Sequence, residues 1–232
     1  MTSAHKIRIV CATRQTKDNF YIHSALGRSL ALYEPLGGFE LSLFCQNSLG
    51  LPTVYNETIE NCRDDPSILI FVHDDVYLCD FFWPGRVAQG LSVFDILGVA
   101  GNKRRIPMQL SWAKTDDKYT WDKPENLSGM VGLGMGFPPI TLDFFGPSAQ
   151  EVKLLDGLIL VSHSDTLIDN SLYFDERFDF HFYDMDFCRQ AELKGIKMGT
   201  WPISVIHESE GKIEGNTGWE QGYQRYLDKW QS

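Results

Sequence analysis

The sequence lacks the signatures of several large protein classes. It is poor in basic residues, with 21 Lys and Arg against 31 Asp and Glu, so its formal net charge is −10 at pH 7. Clustered Lys and Arg bind nucleic-acid phosphates and anionic lipid surfaces, so this balance argues against both kinds of partner. No apolar run approaches the roughly 18–20 residues that cross a bilayer, which argues against a transmembrane segment.

Cysteine pairing and an N-terminal signal are also lacking. The five cysteines are scattered, odd in number and free of C-x-x-C spacing, which favours reduced thiols over a disulfide framework or a zinc site. The first residues contain no apolar segment followed by a small-residue cleavage site. Together these features predict a cytoplasmic protein. The sequence gives no indication of its oligomeric state.

The composition and the pattern of the chain are those of a globular α/β protein. Its 232 residues are 43% hydrophobic, which suffices for one sizeable core. Strand and helix patterns alternate through the first hundred residues and predict a sheet with right-handed crossovers. The predicted strands are 7–12, 39–45, 68–72 and 96–100, and the helices between them are 23–33, 53–62 and 81–94.

Periodicity is broken in the middle of the chain and returns later. Residues 102–151 are rich in turn-forming residues and predict an irregular excursion with short strands. Helices at 183–194 and 219–230 and a strand at 203–206 follow. We therefore expect a single domain over 1–232, with a nucleotide-binding half of about 1–101 and an acceptor or catalytic half of about 102–232.

The sharpest local feature is a pair of carboxylates at the end of an apolar strand. Residues 68–72 run directly into His73, Asp74 and Asp75. Ligands of open α/β sheets bind at the carboxyl ends of strands, and neighbouring carboxylates suit Mg²⁺ or Mn²⁺. The alternative is that an Asp caps a following helix.

Two later residues have the character of site residues. Asp184 stands where a helix begins, so it either caps that helix or faces a cleft as a base. Asp186 lies two residues on and does not share a helix face with it. His207 follows the predicted strand 203–206, where a lone histidine is a structural residue or a metal ligand.

These features, in this order, resemble the nucleotide-sugar glycosyltransferases with the GT-A fold, of the family 2 type. The similarity is to a bacterial branch whose metal motif reads His-x-Asp-Val. It is carried by the motifs IRIVCATR, FVHDDV, LDG at 155–157, FDERF, FYDMDFCRQAELKGIK and WPISVIH. The resemblance implies a Rossmann-like domain with a mostly parallel central sheet flanked by helices.

The resemblance also implies roles for individual residues. Asp75 matches the last carboxylate of the D-x-D motif and, with His207, is implied to bind Mn²⁺ or Mg²⁺. Asp184 matches the catalytic base, whereas His73 replaces the usual first Asp of the motif. Contacts to the donor nucleotide sugar are implied for Ala12, Thr13, Arg14, Asn47, Asn56, Asp74, Asp156 and Gly157.

The activity implied is metal-dependent and inverting. A sugar passes from a nucleoside-diphosphate sugar, with a UDP-sugar favoured, to a hydroxyl acceptor such as a glycan, a lipid-linked sugar or a protein, as in polysaccharide biosynthesis. A nucleotidyltransferase is one alternative, although a glycine-rich phosphate loop is missing after the first strand. A non-catalytic sugar-binding module that uses exposed aromatic residues is the other alternative.

The C-terminal segment suggests a closing element. Trp219, Tyr223, Tyr226 and Trp230 recur at helical spacing and predict one aromatic helix face. We expect this face to pack on the domain and to anchor a loop, containing Lys212, that closes over the donor. A helix that only completes the core is the alternative.

Overall fold

The computed structural model describes residues 6–208 and 217–231, which form two mixed sheets and the helices around them. The strands are β1 (Lys6–Ala12), β2 (Glu40–Phe44), β3 (Ser67–Val72), β4 (Val76–Leu78), β5 (Ile96–Gly98), β6 (Ala100–Asn102), β7 (Leu127–Leu133), β8 (Thr141–Gly146), β9 (Leu154–Leu155), β10 (Ile159–His163), β11 (Met198–Thr200) and β12 (Val205–His207). The helices are α1 (Lys17–His23), α2 (Ala25–Tyr33), α3 (Leu51–Glu60), α4 (Trp83–Leu91), α5 (Ser164–Asp169), α6 (Tyr183–Leu193) and α7 (Thr217–Trp230).

The first sheet confirms the predicted mostly parallel architecture. Its strand order is β11-β5-β10-β3-β1-β2. Strand β10 is antiparallel to both of its neighbours, while the other pairs are parallel, so β10 alone runs against the rest. The sheet is therefore mixed, with one reversed strand.

Strand β3 lies at the centre of this sheet and is buried along its whole length. Its residues alternate between two apolar clusters, because successive side chains of a strand point to opposite faces. Leu69 and Phe71 pack with α3 and α6 on one face, and Ile68, Ile70 and Val72 pack with α2 and α4 on the other. Burial on both faces explains the uninterrupted apolar run in the sequence.

The second sheet is the main departure from the sequence-based expectation. Its order is β4-β12-β7-β6-β9, and β8 pairs with β7. The predicted single strand 96–100 is in fact two strands, β5 and β6, which lie in different sheets on either side of Val99. Strands β7 and β8 lie within the segment 102–151, where an irregular excursion with short strands was expected, and they pair as a hairpin of this sheet.

Glycine explains why this second sheet was hard to predict. Gly129 in β7 has φ +103°, and a Cβ there would lie 1.9 Å from the Val99 carbonyl oxygen. Strand β7 therefore requires glycine where a β-branched residue would have signalled a strand.

Helix α2 begins later than the sequence pattern predicts. Ser24 ends α1 by donating its backbone N–H to the Phe20 carbonyl, and its hydroxyl caps α2 by accepting from the Gly27 N–H at 3.0 Å. Ser24 thus ends one helix and starts the next, so His23 belongs to α1 and the predicted helix 23–33 begins only at Ala25.

Helix α7 packs against the start of α6, as the aromatic spacing predicts. The Phe182 ring lies 5.1 Å from that of Trp219 and 5.7 Å from that of Tyr226. Lys212, with the rest of the proposed closing loop, lies outside the described residues.

Among the helices of the described residues, none combines the length and the apolar character that crossing a bilayer requires.

A buried ion pair joins these two helices. Asp186 is fully buried, and its Oδ1 lies 2.6 Å from Lys229 Nζ and accepts from Trp230 Nε1 at 2.8 Å. Burial raises the pKa of Asp186, and the Lys229 ammonium opposes that rise. The negative charge of the Asp186 carboxylate is thus neutralised by Lys229 of α7.

We expect Lys229→Met to destabilise the fold by about 3 kcal/mol, because it leaves the Asp186 carboxylate buried without its cation. Urea unfolding followed by circular dichroism measures the loss. Lys194→Met, at an exposed position, is the control. Asp186→Asn in the Lys229→Met background should restore part of the stability. A Lys229→Met loss no larger than that of the control would show that the ion pair is unimportant.

Candidate functional site

Two strands of the second sheet bring a histidine to the carboxylate motif. His73 and Asp75 lie in the turn between β3 and β4, and β12 pairs antiparallel with β4 so that His207 stands opposite Val76. The Glu208 N–H donates to the Asp75 carbonyl at 2.9 Å and continues this ladder. The end of β12 therefore lies beside the end of β3.

His73, Asp75 and His207 form a cluster that can hold a metal ion. Their ligand atoms all lie within 4.8 Å of one another. His207 Nε2 is 3.2 Å from Asp75 Oδ2, and His73 Nδ1 is 4.0 Å from Asp75 Oδ1. Asp75 Oδ1 is buried and accepts no hydrogen bond from residues 6–208 or 217–231. An orphaned carboxylate oxygen between two imidazoles fits a cation.

The charges within the cluster perturb one another. Burial lowers the pKa of His73, which favours the neutral imidazole that binds metals. Burial also acts to lower the pKa of His207, but the hydrogen bond and charge of Asp75 outweigh it and raise that pKa overall. The pKa of Asp75 is lowered, since His207 and His73 outweigh the effect of its burial.

A hydrogen-bonded path connects this cluster to Asp184. His73 Nε2 lies 2.8 Å from the Tyr183 hydroxyl, which donates to the Gly157 carbonyl at 2.7 Å. The Gly157 N–H in turn donates to Asp184 Oδ2 at 3.0 Å. The N–H and the carbonyl of one residue, Gly157, thus hold Asp184 and Tyr183 of α6 in place.

Gly157 is the close contact that this arrangement needs. A Cβ at this position would lie 2.6 Å from the Tyr183 hydroxyl oxygen and 3.0 Å from Asp184 Cβ. Any side chain would push α6 away from the loop that follows β9. The close approach that the structure shows is between Gly157 and α6, and the predicted contact of Gly157 with the donor sugar stays a prediction.

Asp184 has the electrostatic environment of a base that works near neutrality. Removal from solvent raises its pKa to about 7, and the negative charge of Asp156 adds to the rise. Backbone N–H donors from Met185 and Gly157 act in the opposite direction. A carboxylate with this pKa takes up and releases a proton near pH 7.

These groups face one cavity with a volume of about 610 Å³. It is lined by the metal-capable cluster, by Asp156, Gly157 and Asp184, and by aromatic side chains. Those aromatic residues are Trp112, Trp121, Phe145, Phe180, Phe182, Tyr183 and Trp219. The structure thus brings together the sequence-predicted residues Asp75, Asp156, Gly157, Asp184 and His207.

Of the residues predicted to contact the donor, Asp156 and Gly157 line this cavity, whereas the others, Ala12, Thr13, Arg14, Asn47, Asn56 and Asp74, are not part of its lining. Buried Thr13 donates its hydroxyl to Asp74 Oδ2 at 2.6 Å, and its carbonyl accepts from the Asn47 N–H at 2.9 Å. Ala12 ends β1 and Arg14 is exposed. The Asn47 amide bonds to Leu49 in its own loop, so its side chain is occupied locally.

Asn56 lies on α3 and is engaged in a structural contact. Its amide donates to the Phe174 carbonyl at 2.9 Å, and its oxygen accepts from the Phe174 N–H at 2.9 Å. It also donates to Glu176 at 3.1 Å. This pairing fixes the segment before α6, and the side chain does not line the cavity.

Sequence reasoning gave no role to three residues that complete the site. His73 belongs to the cluster, and its spacing of two from Asp75 was the available signal. Tyr183 links His73 to Gly157, and no sequence pattern distinguishes it from a core tyrosine. Lys114 lines the cavity from within the segment expected to be irregular.

Comparison with known proteins identifies the fold. No protein-family model matches the chain, and no curated protein matches it. GalNAc-T7 with UDP, GalNAc and Mn²⁺ matches at a TM-score of 0.52 and 10% identity, covering 98% of this chain and 48% of that one. The catalytic domain of Drosophila β1,4-galactosyltransferase 7 with xylobiose matches at 0.52 and 8% identity, covering 95% and 79%.

A fragment of S. aureus TarS, residues 1–349, matches at a TM-score of 0.48 and 14% identity, covering 88% of this chain and 60% of that one. The chain thus spans less than two thirds of the length of TarS 1–349 and of GalNAc-T7. At such low identity the two matches above 0.5 establish the fold alone. The fold is that of GT-A-like glycosyltransferases.

The raised pKa of Asp184 predicts a pH dependence of stability. Below its folded pKa of about 7 and above an unfolded aspartate's pKa of about 4, the folded protein binds the extra proton, so stability falls as pH rises through this window. Asp184→Asn should flatten that fall. Urea unfolding at pH 5, 6, 7 and 8 measures it, with Asp143→Asn as a control. Parallel curves for wild type and Asp184→Asn would contradict the assignment.

Proposed function

We propose that the protein is a metal-dependent glycosyltransferase. It transfers a sugar, with inversion, from a nucleoside-diphosphate sugar to a hydroxyl acceptor. The observation that carries the proposal is one cavity that holds both the His73–Asp75–His207 cluster and Asp184. Support comes from the fold, which is shared with GalNAc-T7, a protein whose structure contains UDP, GalNAc and Mn²⁺.

The chemistry of the cluster suits Mn²⁺ or Mg²⁺. Asp75 supplies a carboxylate with an orphaned oxygen, and His73 and His207 supply imidazole nitrogens. Two imidazoles favour Mn²⁺ over Mg²⁺, which prefers oxygen ligands. When bound, such an ion stabilises negative charge on the diphosphate leaving group.

The residues near Thr13 are proposed to hold the nucleoside. Thr13 orients Asp74 through its hydroxyl, which leaves the other carboxylate oxygen of Asp74 for a ribose hydroxyl. Ala12, Arg14 and Asn47 surround the same loop and are proposed to contact the base, with UDP-sugars favoured. Asn56 acts in this proposal by positioning the segment 174–176 rather than by touching the donor.

Asp184 is proposed as the general base. The acceptor hydroxyl loses its proton as its oxygen attacks the anomeric carbon, and a carboxylate with a pKa of about 7 can accept that proton near neutral pH. Asp156 and Gly157 border the same part of the cavity and are proposed to lie beside the transferred sugar.

Inversion is part of the proposal because Asp184 is assigned as the base of a direct displacement, while Asp156, the carboxylate beside it in the cavity, is assigned a contact with the sugar rather than the role of nucleophile. Retention through a covalent intermediate needs a further carboxylate at the anomeric carbon. Asp186, the nearest carboxylate in sequence, is fully buried on the far side of α6 in contact with Lys229 and Trp230. Direct displacement assisted by one base inverts the configuration.

We expect Asp75→Ala to lose metal-dependent binding of UDP while the protein remains folded. Titration calorimetry with UDP, with and without Mn²⁺, measures the effect, and a melting curve checks the fold. His207→Ala should weaken the same step less severely, because the carboxylate remains. Asp143→Asn, in the same cavity but outside the cluster, is the matched control. Undiminished Mn²⁺-dependent binding by Asp75→Ala would overturn the metal assignment.

We expect Asp184→Asn to bind UDP and Mn²⁺ normally but to lose transfer by about 10²-fold or more, the usual scale for a general base. Wild-type kcat should rise with pH through about 7 as Asp184 loses its proton, and the variant should lack this step. Release of UDP from a panel of UDP-sugars measures turnover. Near-normal turnover by the variant would return Asp184 to a structural role, and binding without any turnover by wild type would favour a sugar-binding module.

A further inference from the structure

Lys114 and Trp121 face each other across a short hairpin on the cavity wall. They form an antiparallel bridge, flanked by hydrogen bonds from Asp122 N–H to the Ala113 carbonyl at 2.8 Å and from Thr115 N–H to the Thr120 carbonyl at 2.9 Å. Opposed residues of such a pair place their side chains on the same face. The Lys114 ammonium accordingly lies 3.7 Å from the centroid of the Trp121 ring.

An aromatic platform surrounds this lysine. Trp121 stacks on Phe145 with 5.7 Å between the rings and 24° between their planes. Trp112 meets both rings edge-on, at 6.4 Å from Trp121 and 5.0 Å from Phe145. All three line the cavity, and Trp121 is 50% exposed. A half-exposed indole in a cavity is suited to the apolar face of a sugar ring, because its ring is flat and apolar while its N–H remains polar.

The hairpin is held rigidly at its base. Asp122 is buried and accepts hydrogen bonds from Asn102 at 2.9 Å and from Asn126 at 2.9 Å, and it pairs with Arg104. Asn102 also donates to the Trp112 carbonyl at 3.0 Å. A buried polar network of this kind fixes the platform before any ligand arrives.

Lys114 is a half-buried cation in the wall of the cavity. Among residues 6–208 and 217–231 its ammonium makes no ion pair or hydrogen bond, and it is the one Lys or Arg in the described lining of the cavity. Burial lowers the pKa of Lys114, so its charge is less well solvated than that of a surface lysine. A bound anion would restore the missing interaction.

The platform lies away from the metal-capable cluster. In the second sheet, His207 pairs with Leu133, and Leu133 pairs with Thr141 at the start of β8. Phe145 is four residues further along β8, about 13 Å at the rise of a β-strand. The Phe145 side of the platform is therefore separated along β8 from the strand end that carries His207.

We propose that this hairpin is an acceptor subsite for an anionic sugar, with Trp121 and Phe145 against the ring and Lys114 paired with a carboxylate or phosphate substituent. The assignment of the bound sugar as the acceptor rests on the proposed function. The binding itself requires neither metal nor nucleotide.

The test measures binding by the full chain in EDTA, without nucleotide. The probes are methyl β-D-glucuronide, glucose 6-phosphate and the neutral methyl β-D-glucoside, titrated by indole fluorescence and by calorimetry. Wild type should bind at least one anionic probe about fivefold or more tightly than the neutral one. Lys114→Gln should reduce that preference to about twofold or less, while Lys118→Gln, at an exposed position of the same hairpin, should keep it. Trp121→Ala should weaken all three probes.

The outcomes separate the two proposals. Preference for the glucuronide identifies a carboxylate, preference for the phosphate identifies a phosphoryl group, and either supports the inference. Equal binding of charged and neutral probes by wild type, no binding of any probe, or an undiminished preference in Lys114→Gln would overturn it. Because metal and nucleotide are absent, failure of the Asp75 or Asp184 experiments leaves this result intact, and the reverse also holds.

Discussion

The pairing of β4 with β12 is the contact on which the candidate site depends. Strand β4 begins directly after Asp75, and the register that sets His207 opposite Val76 brings the second imidazole to the carboxylate. Arg28 of α2 forms an ion pair with Glu208, immediately after β12. The sheet ladder and this ion pair together hold the end of β12 against the turn at His73. A shift of one residue would turn His207 to the other face of the sheet.

Gly157 plays the corresponding role on the other side of the cavity. It accepts a hydrogen bond from the Tyr183 hydroxyl and donates one to Asp184, so it fixes the first turn of α6. Tyr183 also bonds to His73, so Asp184 and the metal-capable cluster are linked through Tyr183 and Gly157. The two backbone groups of Gly157 thereby set the relation between Asp184 and the cluster, the two groups that the proposed reaction requires.

Helix α6 places two carboxylates of the same sequence motif in different environments. Asp184 faces the cavity near Asp156, and its pKa rises to about 7. Asp186 faces α7, where Lys229 and Trp230 satisfy it. Because the two aspartates are two residues apart, they face different sides of the helix. The surroundings of each carboxylate, rather than its own chemistry, therefore determine its role. The sequence predicts that separation, but it does not identify the partners.

The sequence by itself determined the parts that depend on local pattern. The all-apolar run of β3, the carboxylates that follow it, the start of α6 and the aromatic spacing of α7 are read directly from the order of the residues. The mostly parallel first sheet was implied by the family resemblance. Only the tertiary structure decided the second sheet, where glycines replace β-formers and a strand crosses between sheets at Val99. It also decided that Asn56 binds Phe174, that His73 joins the cluster and that the Lys114 ammonium lies over Trp121. The contacts of Asn56 with Phe174 and of His73 with His207 join residues far apart in the chain, and long-range pairing is set by packing rather than by the tendencies of neighbouring residues.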